Sequence, residues 1–456
     1  MKLICTRFTV PIFLLCLLTF CKSPVVDEII VTLAEKGDQP SIGKDLEGNL
    51  GIAYGNGKDI HFSFSTNQGE SFRTEQVGTL ENMFLGMSCG PRLAMGTEYY
   101  SIVAPTKKGD LVAWRKEKNN GEWEGPFQVN DVAGSAGESL ADIASDQQGN
   151  LFATWIDTRS ALVEENQDIP ENSGAKMEHG GMIVQKSEPE NHTMPKQLTK
   201  AEIMAEMGEM PEGGESIRQY PGEDGKMNWV VLDKEGNALK AKDMESYQAF
   251  KVKNSERKQP EGKIYLAKST DGGKNWSKSI EVYASPDGSV CECCMPTIRT
   301  DKNDKLYIMF RNNLMGSRDL HLTISEDSGN TFSRPVKLGQ DTWKLNGCPM
   351  DGGDFRVISK EQIATVWQRE GEVFLAKPGE KEIRLGKGRS PSIDSGNMGD
   401  YITWTAGDSI MLLRPESSNP IVLAKGVSPK TIRIDQGNSM LIIWTEEGKI
   451  KMKMVS

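Results

Sequence analysis

Short apolar segments alternate with turns rich in Gly, Asn and Asp along most of this 456-residue chain. Three turns share one composition, in which Ser, Asp or Asn, Gly and an aromatic residue hold the same offsets. They span residues 65–72, 269–276 and 325–332. An Asp or Asn side chain hydrogen-bonds the backbone two residues on, and Gly adopts the positive φ of a tight turn. Because each turn follows a strand-like segment, the pattern predicts a repeated β-hairpin.

The repeat covers nearly the whole chain in units of roughly 40 to 50 residues, each with signals for about four short strands. A unit begins with a strand that contains small residues or Pro, and its second strand ends in a large residue such as Trp155, Phe310 or Trp404. This period predicts an all-β protein, a β-propeller of four-stranded blades. We place blades at about 39–80, 86–130, 137–285, 291–339, 348–388 and 389–426.

The last unit, residues 427–456, supplies only three strands, KTIRI, MLIIW and IKMKM. The apolar segment 28–33 precedes the first blade and has no partner there. Pairing this segment with the last unit as its fourth strand closes the ring and removes an open sheet edge. We therefore favour seven blades, with six as the alternative if one unit is divided wrongly.

Blade three is interrupted by a long polar insertion, residues 160–261. Insertions of this size occupy surface loops and often carry function. Its sequence predicts a helix over 200–210 and a hairpin formed by 227–233 and 238–243.

The first 21 residues are typical of an export signal. Lys2 and Arg7 precede an apolar stretch over 10–20, which is too short to span a bilayer. Residues 18–21 are similar to a bacterial lipobox, which makes Cys21 the expected lipidation site and 22–456 the mature chain, anchored to the membrane of the cell envelope in the periplasm or at the outer-membrane surface. Ordinary secretion is the alternative, because Phe20 replaces the usual small residue. The net charge of −10 argues against a nucleic-acid partner.

Five of the eight cysteines lie beyond this segment, where blades two, four and five begin. They are Cys89, Cys291, Cys293, Cys294 and Cys348. Innermost strands of a propeller all start at the same end of the axial channel, so the repeat predicts these sulfurs at one rim. Three interpretations stay open: disulfides that join these blades, a soft-metal site for copper or zinc, or inert thiols.

The insertion is rich in methionine and holds two of the four histidines, His179 and His192. Met204, Met207 and Met210 are three residues apart, which places their thioethers on one face of the predicted helix. Thioether and imidazole groups suit copper. The alternative is an amphipathic helix that docks its methionine face on the propeller.

Charged residues accompany several inner strands. Those singled out are Arg92, Glu138, Asp142, Asp157, Arg311, Arg318, Asp351, Asp354 and Arg356. Carboxylates beside arginines are the groups that bind and hydrolyse an acidic sugar. They are equally the groups that form structural ion pairs between loops.

The repeated turns resemble the Asp-box (BNR) repeats of the sialidase superfamily. The segments GPRL, GESLADIA, WIDTR, SPDGSVCECCMP, MFRNNLMGSRD and WKLNGCPMDGG are similar to a bacterial lipoprotein group labelled sialidase-like or exo-α-sialidase. The resemblance implies a propeller fold. In sialidases it also implies an Arg in the first blade, an arginine triad, a Tyr/Glu pair and an acid/base Asp. Here residues 39–42 are Gln-Pro-Ser-Ile, without that Arg.

Three functions therefore stay open. The first is a binding or accessory lipoprotein that holds a soft metal, a protein or a glycan through the cysteine rim and the insertion. The second is a sialidase-type glycoside hydrolase, with Glu138, Asp142 or Asp157 as acid/base and Arg92, Arg311 and Arg318 as anion clamp. The third is an envelope scaffold that acts through surface loops alone.

Overall fold

The structure is a computed structural model that describes residues 29–456 apart from 87, 120, 163–197, 223–225, 234–236, 257–260, 346 and 360–361. The export segment with Cys21 and the candidate ligand His179 lie outside the described residues. None of the described helices is long and apolar enough to cross a membrane.

The chain is an all-β propeller, and its described residues form seven four-stranded antiparallel sheets that we number in chain order. Sheet 1 contains β2 (Asp38–Lys44), β3 (Leu50–Asn56), β4 (Asp59–Ser65) and β5 (Arg73–Thr79). Sheet 2 contains β6 (Arg92–Met95), β7 (Tyr99–Pro105), β8 (Leu111–Glu117) and β9 (Glu124–Gln128). Sheet 3 contains β10 (Ala141–Ser145), β11 (Leu151–Asp157), β15 (Lys263–Ser269) and β16 (Ile280–Tyr283).

The remaining four sheets follow the same order. Sheet 4 contains β17 (Thr297–Thr300), β18 (Leu306–Arg311), β19 (Leu320–Ser325) and β20 (Val336–Lys337). Sheet 5 contains β21 (Asp354–Ser359), β22 (Gln362–Arg369), β23 (Glu372–Ala376) and β24 (Ile383–Lys387). Sheet 6 contains β25 (Arg389–Gly396), β26 (Gly399–Ala406), β27 (Ser409–Leu413) and β28 (Ile421–Lys425). Sheet 7 contains β29 (Val427–Arg433), β30 (Met440–Glu446), β31 (Lys449–Val455) and β1 (Val31–Ala34).

The pairing of β1 with β31 confirms the predicted closure between the two ends of the repeat. Val31 lies opposite Met452, and Thr32 lies opposite Lys451, in antiparallel register. The segment before the first blade is therefore the fourth strand of the last sheet, and it covers an edge that would otherwise expose unpaired backbone groups.

Apolar side chains join each sheet to the next one around the ring. Leu50 and Ile52 of sheet 1 pack with Leu441 and Ile443 of sheet 7 in one cluster. Similar clusters join sheets 1 and 2, 2 and 3, 3 and 4, 4 and 5, 5 and 6, and 6 and 7. The core is thus divided among the spaces between neighbouring sheets, as the alternating strand pattern requires.

The three repeated turns have the hydrogen bonds that their composition predicts. In the turn after β15, the Ser269 hydroxyl donates to Asp271 Oδ1 at 2.8 Å and accepts from the Gly273 N–H at 2.9 Å. The Asn275 N–H donates to Asp271 Oδ1 at 2.9 Å. Gly273 has a φ of 97°, a conformation that favours glycine. These bonds are local, which explains why the motif recurs as a unit.

The described residues between 163 and 260 form a second compact unit. Its described part has a three-stranded sheet of β12 (Ser216–Pro221), β13 (Met227–Leu232) and β14 (Ala238–Ala241), with helices α1 (Lys200–Met207) and α2 (Met244–Glu256). The predicted helix and hairpin are present, while β12 and α2 were not predicted. The helix ends three residues early because Gly208 takes a φ of 78° and its N–H caps the Met204 carbonyl.

The turn after β19 allows a test of how an Asp supports this motif. Hydrogen bonds from Thr331 and then Ser325 lower the pKa of Asp327 to about 2, from an ordinary value of 3.8. Its stabilising contribution is therefore complete above pH 3.8 and is lost as the pH falls towards 2. We expect Asp327→Asn to be less stable than the wild type at pH 7, and the difference in urea midpoints to shrink on acidification.

The first turn supplies the reciprocal control, because Asn67 already occupies the equivalent position. Its Oδ1 accepts from the Ser65 hydroxyl at 2.8 Å and from the Ser71 N–H at 3.1 Å. Asn67→Asp should add the pH dependence that Asp327→Asn removes. Parallel stability profiles for the Asp327→Asn variant and the wild type between pH 7 and pH 2.5 would contradict the argument.

Candidate functional site

Three cysteine sulfurs converge in a tight turn just before β17. The Cys294 N–H donates to the Cys291 carbonyl at 3.3 Å, and the Cys291 N–H donates to the Arg311 carbonyl at 2.9 Å. The Cys291 sulfur lies 3.4 Å from that of Cys294 and 3.7 Å from that of Cys293. All three sulfurs lie within 4.8 Å of one another, and Cys291 and Cys294 are buried. We call this group the sulfur cluster.

Cys348, which precedes β21, meets this cluster through a disulfide with Cys293. Their Cα atoms are 6.1 Å apart. The bond joins the segments that lead into sheets 4 and 5, so one of the disulfides expected between blades is present. Cys291 and Cys294 are thiols in this state. Four of the five rim sulfurs are therefore brought together.

Cys89 has different surroundings. It packs in the apolar cluster between sheets 3 and 4, and its thiol donates to the Glu138 carbonyl at 3.8 Å. Burial raises the pKa of Cys89 to about 12. Within the described part of the chain, the set of possible metal ligands consists of Cys291, Cys293 and Cys294, without Cys89.

Arg311 lies beside the sulfur cluster, and its side chain binds three backbone carbonyls. It is 1% exposed, and its guanidinium donates to the carbonyls of Asp351 at 3.0 Å, Arg318 at 2.6 Å and Gln368 at 3.0 Å. Burial raises the pKa of the Cys294 thiol, but the Cys291 hydrogen bond and then the Arg311 charge outweigh burial and lower it to about 7. The hydrogen bond with Cys294 and then burial raise the pKa of the Cys291 thiol.

A cavity of about 320 Å³ runs between the inner strands of all seven sheets. Arg299 of β17 crosses it and bridges Asp142 of β10 at 3.0 Å and Asp354 of β21 at 2.7 Å. Asp142 also accepts from the Ile298 N–H, and Asp354 accepts from the Ser392 hydroxyl. Both carboxylates are thus held in ion pairs and hydrogen bonds between sheets.

The other charged candidates are also placed by the structure. Asp157 is buried and binds Arg159 at 2.8 Å and the Trp155 indole N–H at 2.9 Å. Arg356 pairs with Asp400. Glu138 is half-buried, and burial followed by the neighbouring Glu292 raises its pKa. Only Glu138 among the three acid/base candidates has no arginine partner in the described residues.

Sequence reasoning missed three features of the site. Arg299 was overlooked, although it directly follows the central apolar residue of its inner strand, as Arg356 does in the next blade. Lys430, which lines the same cavity, was also missed. The third is the spacing of Cys291 and Cys294, which is that of a C-x-x-C pair and is a frequent metal-binding arrangement.

The methionines of the insertion lie in an apolar environment. Met207 is buried and Met204 is partly buried, and both pack in a cluster with Trp229 and Val231. Met210 lies beyond the helix and is exposed. Met204 and Met207 therefore pack against residues of the insertion itself. Docking of the methionine face on the propeller stays a prediction.

Comparison with known proteins shows a likeness of fold only. No protein-family model matches the chain, and no curated protein matches it in sequence. Solved structures that match include an α-L-arabinanase of Penicillium chrysogenum, with 9% identity over 94% of this chain and 97% of that chain and a TM-score of 0.45. A Hadza microbial sialidase matches with 11% identity over 93% of this chain and a TM-score of 0.40, and the match spans 66% of that sialidase. An α-L-arabinofuranosidase of Fusarium graminearum matches with 9% identity over 94% of this chain and 96% of that chain and a TM-score of 0.41.

The role of Arg311 can be tested by its effect on stability. Arg311→Met leaves three buried carbonyls without their charged donor, so we expect it to lower the free energy of unfolding by about 3 kcal/mol. Arg334→Met, at an exposed site, is the matched control and should cost less than about 0.5 kcal/mol. Urea denaturation measures both. Equal stability of the two variants would instead favour an arginine reserved for a ligand.

Proposed function

We propose that this propeller binds one soft metal ion, copper(I) or zinc, through the sulfur cluster. The observation that carries the proposal is the convergence of Cys291, Cys293 and Cys294, whose sulfurs all lie within 4.8 Å of one another. Thiolate is the ligand that both ions prefer among protein side chains. A rigid ring of sheets supplies the platform on which the cluster is held.

The spacing of the sulfurs suits a shared metal. Zinc–sulfur bonds of about 2.3 Å in a tetrahedral site require neighbouring sulfurs to be about 3.8 Å apart. The observed separations from Cys291 are 3.4 Å to Cys294 and 3.7 Å to Cys293. Once the Cys293–Cys348 disulfide is reduced, small shifts of the side chains would therefore complete a site, with no rearrangement of the sheets.

The redox state of the cluster sets how many ligands it can offer. With the Cys293–Cys348 disulfide formed, the cluster has two thiols, those of Cys291 and Cys294, and this number suits copper(I) better than zinc. Reduction of the disulfide by two electrons and two protons gives Cys293 and Cys348 as further thiols. The four sulfurs would then supply the closed ligand set of a structural zinc site. Arg311, close to the cluster, offsets part of the thiolate charge.

The test is metal uptake by the purified mature chain after reduction with a phosphine under anaerobic conditions. We expect one equivalent of copper(I) or zinc in a competition titration against a chromogenic chelator. Cys291→Ser and Cys294→Ser should each weaken binding more than tenfold, because each removes a ligand.

Cys89→Ser is the matched control, since it makes the same change at a buried cysteine outside the cluster. It should retain full metal affinity. The proposal fails if the reduced wild type takes up less than half an equivalent, or if Cys89→Ser loses as much affinity as Cys291→Ser.

A sialidase-type glycoside hydrolase is the alternative function. Glu138 favours it, because a raised pKa is what a general acid needs at neutral pH. The corresponding assay is release of sialic acid from a fluorogenic substrate. Activity in the wild type that is abolished by Glu138→Gln would support the hydrolase.

A further inference from the structure

Two cavities meet at one end of the channel. The large cavity of about 320 Å³ adjoins a smaller one of about 40 Å³, which lies among residues at and just before the starts of the inner strands. Four residues line both: Arg92, Met295, Gly353 and Lys430. These four mark the passage between the channel and its rim.

Arg92 brings an incompletely bonded cation to this passage. Arg92 is buried, with 5% of its surface exposed. One terminal nitrogen, Nη2, donates to the Ser88 carbonyl and to the Met295 sulfur, the latter at 3.2 Å. Its Nε is buried and has no hydrogen-bond partner in the described residues. Leaving such a charged donor unpaired is unfavourable, so a bound acceptor would stabilise it.

Lys430 brings a second cation. No hydrogen bond or ion pair holds its ammonium group in the described part of the chain, although it lines both cavities. Burial lowers its pKa from the ordinary value, with Asp354 acting in the opposite direction. Like Arg92, it lacks a carboxylate in direct contact.

Asp142 and Asp354, two carboxylates of the channel, already bind other groups. Arg299 binds both Asp142 and Asp354. The Ser392 hydroxyl donates to Asp354 and accepts from the Thr431 N–H, so the polar contacts continue from sheet 3 to sheet 7. Arg92 in sheet 2 and Lys430 in sheet 7 lie at the two ends of this path. Neither forms an ion pair within the described residues, although Asp351 lines the smaller cavity with them.

The count of charges agrees with this geometry. The lining of the large cavity has five cationic side chains, namely Lys44, Arg92, Arg299, Arg356 and Lys430, against three carboxylates, Asp142, Asp354 and Asp394. Arg356 is neutralised by Asp400, which lies outside the lining. One positive charge is therefore in excess in the lining of the large cavity. The smaller cavity is lined by Arg92, Lys430 and Asp351, whose carboxylate already accepts from the Gly353 and Ser390 N–H groups.

We propose that a small inorganic oxyanion, phosphate or sulfate, binds in this passage between Arg92 and Lys430. An oxyanion provides acceptors for the unpaired Arg92 Nε and for the Lys430 ammonium at once. Ser88, Ser390 and Ser428 also line the smaller cavity and bring hydroxyl groups to it. Among the described residues that line the two cavities, Phe355 is the only aromatic one, and it lines the large cavity and not the smaller one.

Thermal unfolding of the full mature chain tests the proposal, with phosphate, sulfate and chloride titrated at constant ionic strength. A ligand that binds the folded state raises the unfolding temperature with concentration. We expect phosphate or sulfate to do so and chloride not to. The two oxyanion arms show which is preferred. Lys430→Met should raise the dissociation constant of the oxyanion at least about tenfold, because it removes one charge-assisted hydrogen bond.

Lys430→Met should not lower the unfolding temperature in oxyanion-free buffer, because it removes an unpaired cation from a cavity. This result separates loss of binding from loss of folding. Lys425→Met, at an exposed lysine in β28, is the matched control and should keep the oxyanion response. An equal response to chloride, or an unchanged response in Lys430→Met, would overturn the proposal. Tighter binding of N-acetylneuraminate or glucuronate than of phosphate and sulfate would replace it with an acidic-sugar site.

Discussion

The closed ring of sheets is the constraint on which the other features depend. Each sheet buries its apolar side chains against the next, and the cluster of Leu50 with Leu441 joins the first sheet to the last. Closure also requires that β1 pair with β31, which places strands from opposite ends of the sequence side by side. Because the ring is closed, the inner strands are held in fixed relation, and residues distant in sequence meet at the channel.

Polar contacts between inner strands follow from that arrangement. Asp142, Arg299 and Asp354 belong to three successive sheets, and their ion pairs connect strands that share no backbone hydrogen bonds. Isolated charges would be costly in this space, so Asp142 and Asp354 each bind Arg299 and at least one further donor. The position of a charge around the ring therefore decides how it is bonded. A charge within the bonded path supports the fold, whereas Arg92 and Lys430, at its ends, are the cations for which we propose a ligand.

Local features of the fold were predictable from sequence, while side-chain partners were not. The Ser269 and Asp271 hydrogen bonds span at most four residues, so composition alone specifies them. The phase of the repeat also placed Cys291 and Cys348 at the same end of neighbouring blades. The Cys89 thiol points towards the Glu138 carbonyl, and the Arg311 guanidinium points towards three backbone carbonyls. Both contacts depend on which surfaces face each other between sheets. A repeat specifies where a residue lies along its strand, but not which group lies opposite.

The sulfur cluster shows how the two kinds of information combine. Its cysteines stand on short segments before the inner strands, where no sheet partner imposes the sequence. The turn is nonetheless fixed, because the Cys291 N–H binds the carbonyl at the end of β18 and the Cys294 N–H binds within the turn. The sulfurs of Cys291 and Cys294 are thus held 3.4 Å apart by the backbone. A pair of thiols positioned in this way would lose little conformational freedom on binding the proposed metal, unlike cysteines that meet only when a metal draws them together.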